Sequence, residues 1–288
     1  MAKNIRIIPR LDIKGPNLVK GIHLEGLRVL GKPEDFARHY YESGADELIY
    51  VDVVASLYER NSLHDIISRT AQEIFIPLTV GGGIRTIDDI REVLRAGADK
   101  VSLNTAAVKN PQIIKEASRI FGSSTIVVAI EAIRETDGRY LAYTDNGRQF
   151  TGVEVFSWAK QVEALGAGEI LLTSVDREGT GQGFDIELTR KVSDSVSIPV
   201  IAHGGAGKID HIGQVIKEGS ADAVTFASVL HYDFIKNISS KFEAGKEGNT
   251  EFLNKGIGFS KVSPAGLQEI KNKLGEAGIN CRVAAKGA

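Results

Sequence analysis

Two stretches of this chain, IPLTVGGGIRTIDDIREVLRAG at residues 76–97 and IPVIAHGGAGKIDHIGQVIKEG at residues 198–219, repeat one another. The matched positions are Pro77 with Pro199, Gly82-Gly83 with Gly204-Gly205, Ile87-Asp88 with Ile209-Asp210, and Gly97 with Gly219. Earlier in each half, GADELIYVDV at residues 44–53 resembles GAGEILLTSV at residues 166–175. Self-similarity of this length predicts a duplicated structural unit, with one copy in each half of the chain.

Each copy has the pattern of strands followed by helices, and this pattern extends along most of the chain. Near-continuous apolar runs are typical of parallel strands buried on both faces, and they occur at residues 6–12, 47–53, 76–81, 100–104, 125–131, 169–175, 198–202 and 223–227. The stretches between them carry helix signals, such as Pro33 at a first helical position and Thr86 as an N-cap. Eight alternating units predict a parallel sheet closed into a (β/α)8 barrel, a TIM barrel made of two half-barrels.

The length of 288 residues suits one domain over residues 1–288, since such barrels have about 250 residues, although two ordinary domains also fit this length. Two segments depart from the regular pattern. Residues 13–32 lack clear periodicity and are long for a loop, which is typical of a functional or disordered segment. Residues 233–262 are polar with scattered glycines, and we interpret them as an insertion before a last helix that starts near Ser263-Pro264.

The composition excludes several classes of protein. A formal net charge of −2 at pH 7 gives no indication of a nucleic-acid or membrane surface. The one cysteine, Cys281, excludes a disulfide scaffold and argues against a zinc cluster or a Cys-His nucleophile pair. Because we find no signal peptide and no apolar run long enough to span a bilayer, we expect a cytoplasmic protein. The sequence predicts no metal site and no organic cofactor.

Glycine pairs after two of the strands predict two phosphate sites. Glycines there let backbone N–H groups approach an anion, and the next helix presents its positive end. The first predicted cradle consists of Gly82, Gly83, Asn104 and Thr105, and the second of Gly204, Gly205, Ala227 and Ser228. Duplication places the two cradles on opposite sides of the barrel mouth, which favours a long bisphosphate ligand. The alternative is that the glycines only form tight turns.

Two carboxylates occupy matching positions at strand ends. Asp12 ends the first strand and Glu131 ends the fifth, so both are expected at the C-terminal face, where active sites of such barrels are built. Carboxylates facing each other across a mouth suit a general acid and a general base. The alternative is that either caps a helix or pairs with a lysine. Lys20, in the long first loop, is a candidate to close over a phosphate.

Charged residues at the other ends of the strands predict a ring at the bottom of the barrel. The four residues near strand starts are Arg6, Glu47, Lys100 and Glu169. Two cations and two anions can satisfy one another there as a salt-bridged ring. Considered without reference to function, such a ring is expected to stabilise the barrel.

Six segments are specific enough to indicate a family. They are LDIK with LVKG (11–21), GADELIYVDVVAS (44–56), FIPLTVGGGIR (75–85), GADKVSLNTAAV (97–108), GAGEILLTSVDREGT (166–180) and IPVIAHGGAG (198–207). Through them the sequence resembles the cyclase subunits of imidazole glycerol phosphate synthase, from histidine biosynthesis, over residues 6–232 and again in the last helix.

The resemblance implies a reaction and a partner. Ammonia would react with a ribulosylated formimino-aminoimidazole carboxamide ribonucleotide, a bisphosphate, to give imidazole glycerol phosphate and an aminoimidazole carboxamide ribonucleotide. Asp12 and Glu131 would be the acid–base pair. Further contacts to the substrate would come from Lys20, Thr173, Glu178 and Gly179. The ring at the bottom would gate ammonia from a glutaminase (amidotransferase) subunit docked on that N-terminal face. The chain itself lacks a cysteine in a suitable glutaminase motif, so nitrogen must come from a partner or from free ammonia.

The chain also departs from the family pattern near this chemistry. The family usually has aspartate at the positions of Glu131 and Glu178, and a small residue at those of Arg10 and His203. Strand alternation puts Arg10 on the same face as Asp12. Its guanidinium therefore enters the barrel and requires a carboxylate partner, for which Asp12 and Glu131 are the candidates.

These departures keep other interpretations open. One is a cyclase-like paralogue that works with a glutaminase in surface-glycan biosynthesis, where a sugar acetamido group becomes an amidine. Another is the isomerase of the same pathway, which shares the duplication and a bisphosphate ligand but fits the charged ring and VDREGT less well. A third is a barrel that serves as a scaffold without catalysis.

Overall fold

The computed structural model describes residues 3–55, 63–238 and 261–282. Within these residues one sheet contains the strands β1 (Arg6–Lys14), β2 (Asn17–Ile22), β3 (Glu25–Gly31), β4 (Leu48–Asp52), β5 (Leu78–Gly81), β6 (Lys100–Leu103), β7 (Ile126–Arg134), β8 (Tyr140–Thr144), β9 (Gln149–Glu154), β10 (Glu169–Ser174), β11 (Val200–His203) and β12 (Ala223–Phe226). The helices are α1 (Pro33–Glu42), α2 (His64–Ala71), α3 (Ile87–Arg95), α4 (Thr105–Lys109), α5 (Gln112–Phe121), α6 (Val155–Ala164), α7 (Ile186–Ser195), α8 (Ile209–Lys217), α9 (Ser228–Ile238) and α10 (Leu267–Glu276).

Eight of the strands form a closed parallel barrel. The order around the wall is β1, β4, β5, β6, β7, β10, β11 and β12, and β12 pairs with β1 to close the ring. In the register of the closing pair, Arg6 lies opposite Ala223. Every predicted strand overlaps one of these eight, and helices lie between them, which confirms the TIM barrel.

The helices begin where the sequence signals place them. Pro33 is the first residue of α1, because its fixed φ suits a first helical position. Thr86 caps α3, because its side chain accepts a hydrogen bond from the backbone N–H of Asp89. The Asp89 side chain accepts one from the backbone N–H of Thr86, which completes a capping box. No helix in the described part of the chain is long and apolar enough to cross a membrane.

Two antiparallel hairpins stand on the C-terminal end of the barrel. The segment 13–32 is one of them, so our expectation of an irregular loop was wrong. There β1 continues to Lys14, β2 pairs with it, and β3 pairs with β2. The ordering comes from burial, since Leu18, Val19 and Leu30 are inaccessible to solvent. The second hairpin, β8 with β9, extends β7 and was not predicted.

The barrel interior is apolar at mid-height. One layer of inward-facing side chains fills the space between the two ends of the barrel: Ile8, Ile49, Val127, Leu171, Ile201 and Ala223. The larger core lies between the outer faces of the strands and the helices. The barrel is therefore packed, and charged groups are confined to its bottom and its mouth.

The C-terminal segment returns to the bottom of the barrel. Ile5 forms a parallel bridge with Cys281, and the Lys271 ammonium donates hydrogen bonds to Gly44 O (2.7 Å) and to Asp46 Oδ1 (2.8 Å). The predicted insertion at 233–262 starts too early, because residues 233–238 continue α9 with an apolar side facing the core. Residues 239–260 of that insertion lie outside the described residues.

Candidate active site

A cavity of about 170 Å³ opens at the C-terminal end of the barrel. Its walls come mainly from the ends of β4, β5, β6 and β7, with Leu171 and Thr173 from β10. Its polar and charged lining residues are Arg10, Asp52, Arg85, Ser102, Asn104, Thr105, Lys109, Glu131, Asp145, Asn146 and Thr173. Both predicted acid–base groups lie at this end, although only Glu131 lines the cavity itself.

The first predicted cradle forms one wall of this cavity. Gly82 has φ +96°, and a Cβ there would lie 2.3 Å from the carbonyl oxygen of Asp52. Only glycine therefore fits, and the backbone passes close to β4. Asn104 and Thr105 already have partners in the second hairpin, namely Tyr143 O (3.4 Å) and Asp145 Oδ1 (3.3 Å).

Two cations beside this cradle were missed by the sequence analysis. Arg85 and Lys109 both line the cavity, next to the glycines and to Thr105. Arg85 is the second residue after the GGG segment, and its counterpart in the second half is Gly207. This difference between the two repeats was the sequence signal that could have identified Arg85. Together with backbone N–H groups, the two cations give this wall the donors and charge that an anion requires.

Glu131 lies on β7, the strand next to β6, which leads into this cradle. Its Oε2 accepts a hydrogen bond of 2.8 Å from the backbone N–H of Gly147, in the turn between β8 and β9. Desolvation raises the pKa of Glu131 to about 7, although this hydrogen bond and the charge of Arg10 act in the other direction. A carboxyl group with such a pKa can both donate and accept a proton at neutral pH.

Asp12 forms a buried ion pair with Arg10 inside the barrel. Arg10 Nε donates to Asp12 Oδ1 at 2.7 Å, and the side chains of both residues are 4% exposed. Burial disfavours the guanidinium charge, but the nearby carboxylates, Asp12 first, outweigh this and raise the pKa of Arg10. Of the two expected candidates, Asp12 is thus the direct partner of Arg10.

His203 lies on the other side of this guanidinium. Its Nδ1 is 3.4 Å from Arg10 Nη1, and its ring is buried. Burial, followed by the charges of Arg10 and Lys20, lowers the pKa of His203 well below its usual value. His203 is therefore a neutral neighbour of Arg10.

Lys20 and Glu178 form a second buried ion pair, which joins the first hairpin to the segment after β10. Lys20 Nζ donates to Glu178 Oε1 at 2.7 Å, and His23 N donates to Glu178 O at 3.0 Å. At Gly179, a Cβ would lie 2.7 Å from the carbonyl oxygen of Gly21. The close contact of these two backbones explains the glycine. Neither Lys20 nor Glu178 lines the cavity in this structure.

The second predicted cradle lies on the far side of the barrel but is covered. In the closed wall, two strands separate β5 and β6 from β11 and β12 in each direction, so the cradles are opposed. The backbone N–H of Gly183 donates to Gly205 O at 2.7 Å. The four residues of this cradle are all buried: Gly204, Gly205, Ala227 and Ser228. The segment that follows β10 thus covers the second cradle, whereas the first is open.

The ring at the bottom of the barrel is formed as predicted. Arg6 Nη1 contacts Glu47 Oε1 at 2.7 Å and Glu169 Oε1 at 2.9 Å. Lys100 Nζ lies 3.2 Å from Glu47 and 3.3 Å from Glu169. Each cation thus contacts both anions. The described part of the chain contains no cluster of three or more His, Cys, Asp or Glu residues placed to hold a metal ion.

The comparisons with known proteins agree on one family. Residues 6–236 match the family described as "Histidine biosynthesis protein". A Legionella pneumophila protein named "Imidazole glycerol phosphate synthase subunit HisF" is 60% identical over 207 residues, which cover 72% of this chain and 98% of the relative. Proteins of the same name from Alkaliphilus metalliredigens and Methanococcus vannielii are 50% identical over 228 and 247 residues, and each alignment covers 79% of this chain. These alignments cover 90% and 91% of the two relatives.

Proposed function

This chain belongs to the histidine biosynthesis protein family and is a cyclase subunit of imidazole glycerol phosphate synthase, and from this premise we propose that Asp12 and Glu131 carry its acid–base chemistry. The observation that supports this is their placement. Asp12 lies on β1 and Glu131 on β7, which are four strands apart in the barrel wall, and both lie at its mouth. The high identity to synthase subunits favours the cyclase over the isomerase and over a scaffold.

The environments of the two carboxyl groups suit different roles. Asp12 is held by the Arg10 guanidinium, whose Nε donates to Oδ1 at 2.7 Å, and we assign this positioned carboxyl group the role of general base. Glu131, with its pKa raised to about 7 by desolvation, holds a proton in a large fraction of molecules at neutral pH and acts as the general acid.

We propose that the substrate is the bisphosphate nucleotide that the family resemblance implies. One phosphate would bind the open cradle of Gly82, Gly83, Asn104 and Thr105, where Arg85 and Lys109 add positive charge. The other phosphate would bind Gly204, Gly205, Ala227 and Ser228. Binding there requires the segment after β10, with Glu178 and Gly179, to open, and Lys20 would move with it because of its ion pair with Glu178. Thr173 lines the cavity of the open cradle and would contact the substrate between its two phosphates.

We further propose that the second substrate, ammonia, is supplied by a glutaminase subunit. The relatives are named as subunits, and burial raises the pKa of the one cysteine, Cys281, which disfavours a nucleophilic thiolate. The N-terminal face offers a docking surface. Phe75 precedes β5 there, is 80% exposed and packs its ring edge against Tyr41.

The ring of Arg6, Glu47, Lys100 and Glu169 lies at this same face and would gate the ammonia. Exposed aromatic side chains are common at the centre of protein interfaces, so Phe75 is the expected anchor of the partner. We place the complex in the cytoplasm, as the sequence suggested.

Turnover by the purified chain tests this function. With ammonium salt, the chain alone should convert the bisphosphate into imidazole glycerol phosphate and the aminoimidazole carboxamide ribonucleotide. With glutamine, it should do so only after a glutaminase subunit is added. Absence of turnover while the glutaminase still binds would favour the surface-glycan paralogue. Calorimetric titration with the bisphosphate separates both enzymes from a scaffold, since a scaffold would not bind it.

A further inference from the structure

Two departures from the family pattern contact one another inside the barrel. Arg10 enters from β1 and His203 from β11, and their nearest side-chain nitrogens are 3.4 Å apart. Both residues are 4% exposed. These strands are not neighbours, because β12 lies between them. The contact therefore passes across β12 inside the barrel, and Arg10 also lines the cavity.

Arg10 is the direct partner of Asp12 because the other nearby carboxylates are held elsewhere. Glu178 is bound by Lys20 at 2.7 Å, and Glu131 accepts from the backbone of Gly147 at 2.8 Å. Asp12 Oδ1 accepts a hydrogen bond of 2.7 Å from Arg10 Nε. A planar guanidinium that is held by Asp12 at one N–H can still rotate about that hydrogen bond. A second contact prevents this rotation.

His203 provides that second contact. A guanidinium has only donors, so Nδ1 of His203 must be the acceptor, and the ring carries its proton on Nε2. Lys20 and Arg10 are the charged groups that face the ring, and both disfavour an additional proton on it. The acceptor is thus kept available to Arg10.

We propose that Arg10 is a positioning residue that fixes the carboxylate of Asp12 for proton transfer, and that His203 acts on the reaction only by holding Arg10. This inference rests on the proposed role of Asp12 as a base. It differs from a purely structural role in one respect: the effect of His203 on turnover must disappear when Arg10 can no longer bind Asp12.

A double-mutant cycle tests this dependence, with ammonium-dependent kcat and KM as the readout. Arg10→Met should lower kcat by about a hundredfold with a smaller change in KM, since a shift of the reacting group by about 1 Å has that cost. Arg10→Lys should recover part of the loss. His203→Leu should lower kcat by about tenfold, whereas His203→Gln, which keeps an acceptor, should lower it less. In the Arg10→Met background, His203→Leu should cause no further loss.

Ile201→Ala is the matched control. Ile201 lies on β11 two residues before His203 and is equally buried, but it belongs to the apolar layer below Arg10. Its effect on kcat should simply multiply with that of Arg10→Met, because the two side chains have no shared hydrogen bond. If His203→Leu also multiplies with Arg10→Met, or if Arg10→Met has wild-type kcat, the proposal is overturned.

A spectroscopic readout separates failure of this inference from failure of the proposed function. In a 1H–15N spectrum of the arginine Nε–H groups, the protected resonance of Arg10 is identified by its loss in Arg10→Met. His203→Leu and Asp12→Asn should each shift it. If the wild-type chain has no turnover with the bisphosphate, the proposed function fails, yet the shift still supports the Arg10 geometry. An unchanged resonance in His203→Leu overturns the inference whatever the activity.

Discussion

Gly147 holds Glu131 from above: its backbone N–H donates a 2.8 Å hydrogen bond to Oε2 of that carboxyl group. Gly147 ends a turn in which Asp145 and Asn146 adopt left-handed φ values of 54° and 60°, a conformation that these two residue types tolerate better than most. The Asn146 side-chain amide donates to the carbonyl of Val53, just after β4. The second hairpin is thus a fixed wall of the site and sets the orientation of the proposed acid.

The raised pKa of Glu131 predicts how stability depends on pH. The folded protein keeps a proton on this group up to about pH 7, whereas the unfolded chain releases it near the ordinary glutamate pKa of 4.5. The folded state therefore binds more protons in this window, and the free energy of unfolding should fall as pH rises through it. Glu131→Gln should remove up to about 3 kcal/mol of this dependence. Urea unfolding at a series of pH values measures it.

Activity provides the control for this variant. Glu131→Gln should lower kcat by about a hundredfold or more, because general acid–base groups contribute at least that much. Glu131→Asp restores the family residue and should retain activity. Parallel stability profiles of the wild type and Glu131→Gln, or an unchanged rate, would contradict the assignment of Glu131.

Substitution of Gly82 should weaken binding of the bisphosphate. Gly82→Ala places a Cβ 2.3 Å from the carbonyl of Asp52 at φ +96°, so the loop must move and its N–H groups lose their alignment. We expect at least about a tenfold weaker affinity by calorimetry. The matched control is Gly138→Ala, with φ +86° but no atom within 4 Å of the added Cβ. It should cost about 1 kcal/mol of stability and leave affinity unchanged. Equal affinities of the two variants would exclude this cradle.

Glu47→Gln should separate the two nitrogen sources. Glu47, like Glu169, contacts both Arg6 (2.7 Å) and Lys100 (3.2 Å) in the ring, and it is far from the mouth. Glutamine-dependent turnover should fall more than ammonium-dependent turnover. Only the ammonia that the docked partner releases from glutamine has to pass the ring. The control is Glu73→Gln, which breaks the exposed pair with Arg38 and should change neither rate. An equal decrease of both rates by Glu47→Gln would remove the gating role.

Lys271 should contribute strongly to stability. Its ammonium is buried and reaches Gly44 O, Asp46 Oδ1 and Arg282 O within 2.8 Å. Lys271→Met removes the donor to the carbonyls of Gly44 and Arg282 and leaves Asp46 Oδ1 with Arg282 Nε only (2.9 Å), so it should cost roughly 2–4 kcal/mol. Lys273→Met, on the same helix, removes only an exposed pair with Glu269 and should cost less than about 0.5 kcal/mol. Similar midpoints in urea for the two variants would contradict this interpretation.

The barrel could be predicted from sequence because its signals are local. The apolar runs, Pro33 and Thr86 each report on a few neighbouring residues, and the duplication extends them to both halves. The hairpin at 13–32 could not, because part of its order comes from contact with the segment around Glu178, which is distant in sequence. The hairpin of β8 and β9, with Asp145 and Gly147 in the site, was missed for the same reason.

The hydrogen-bond partners of side chains could likewise be predicted only in part from the sequence. Strand alternation correctly turned Arg10 into the barrel, but it left Asp12 and Glu131 as equal candidates. The choice depends on the other hydrogen bonds of each carboxylate, and those come from other strands. The contact between Arg10 and His203 depends in addition on the curvature of the closed wall, which no local pattern contains.

The bridge between Ile5 and Cys281 has a practical consequence for handling this protein. It brings Ile5 and Cys281, which lie near the two ends of the described residues, to the face where the bottom ring and Phe75 lie. Affinity tags or fluorophores fused at either end would crowd the surface that a glutaminase needs. Labels for association experiments belong instead at the open turn of Gly138, between β7 and β8, where an added Cβ has no other atom within 4 Å.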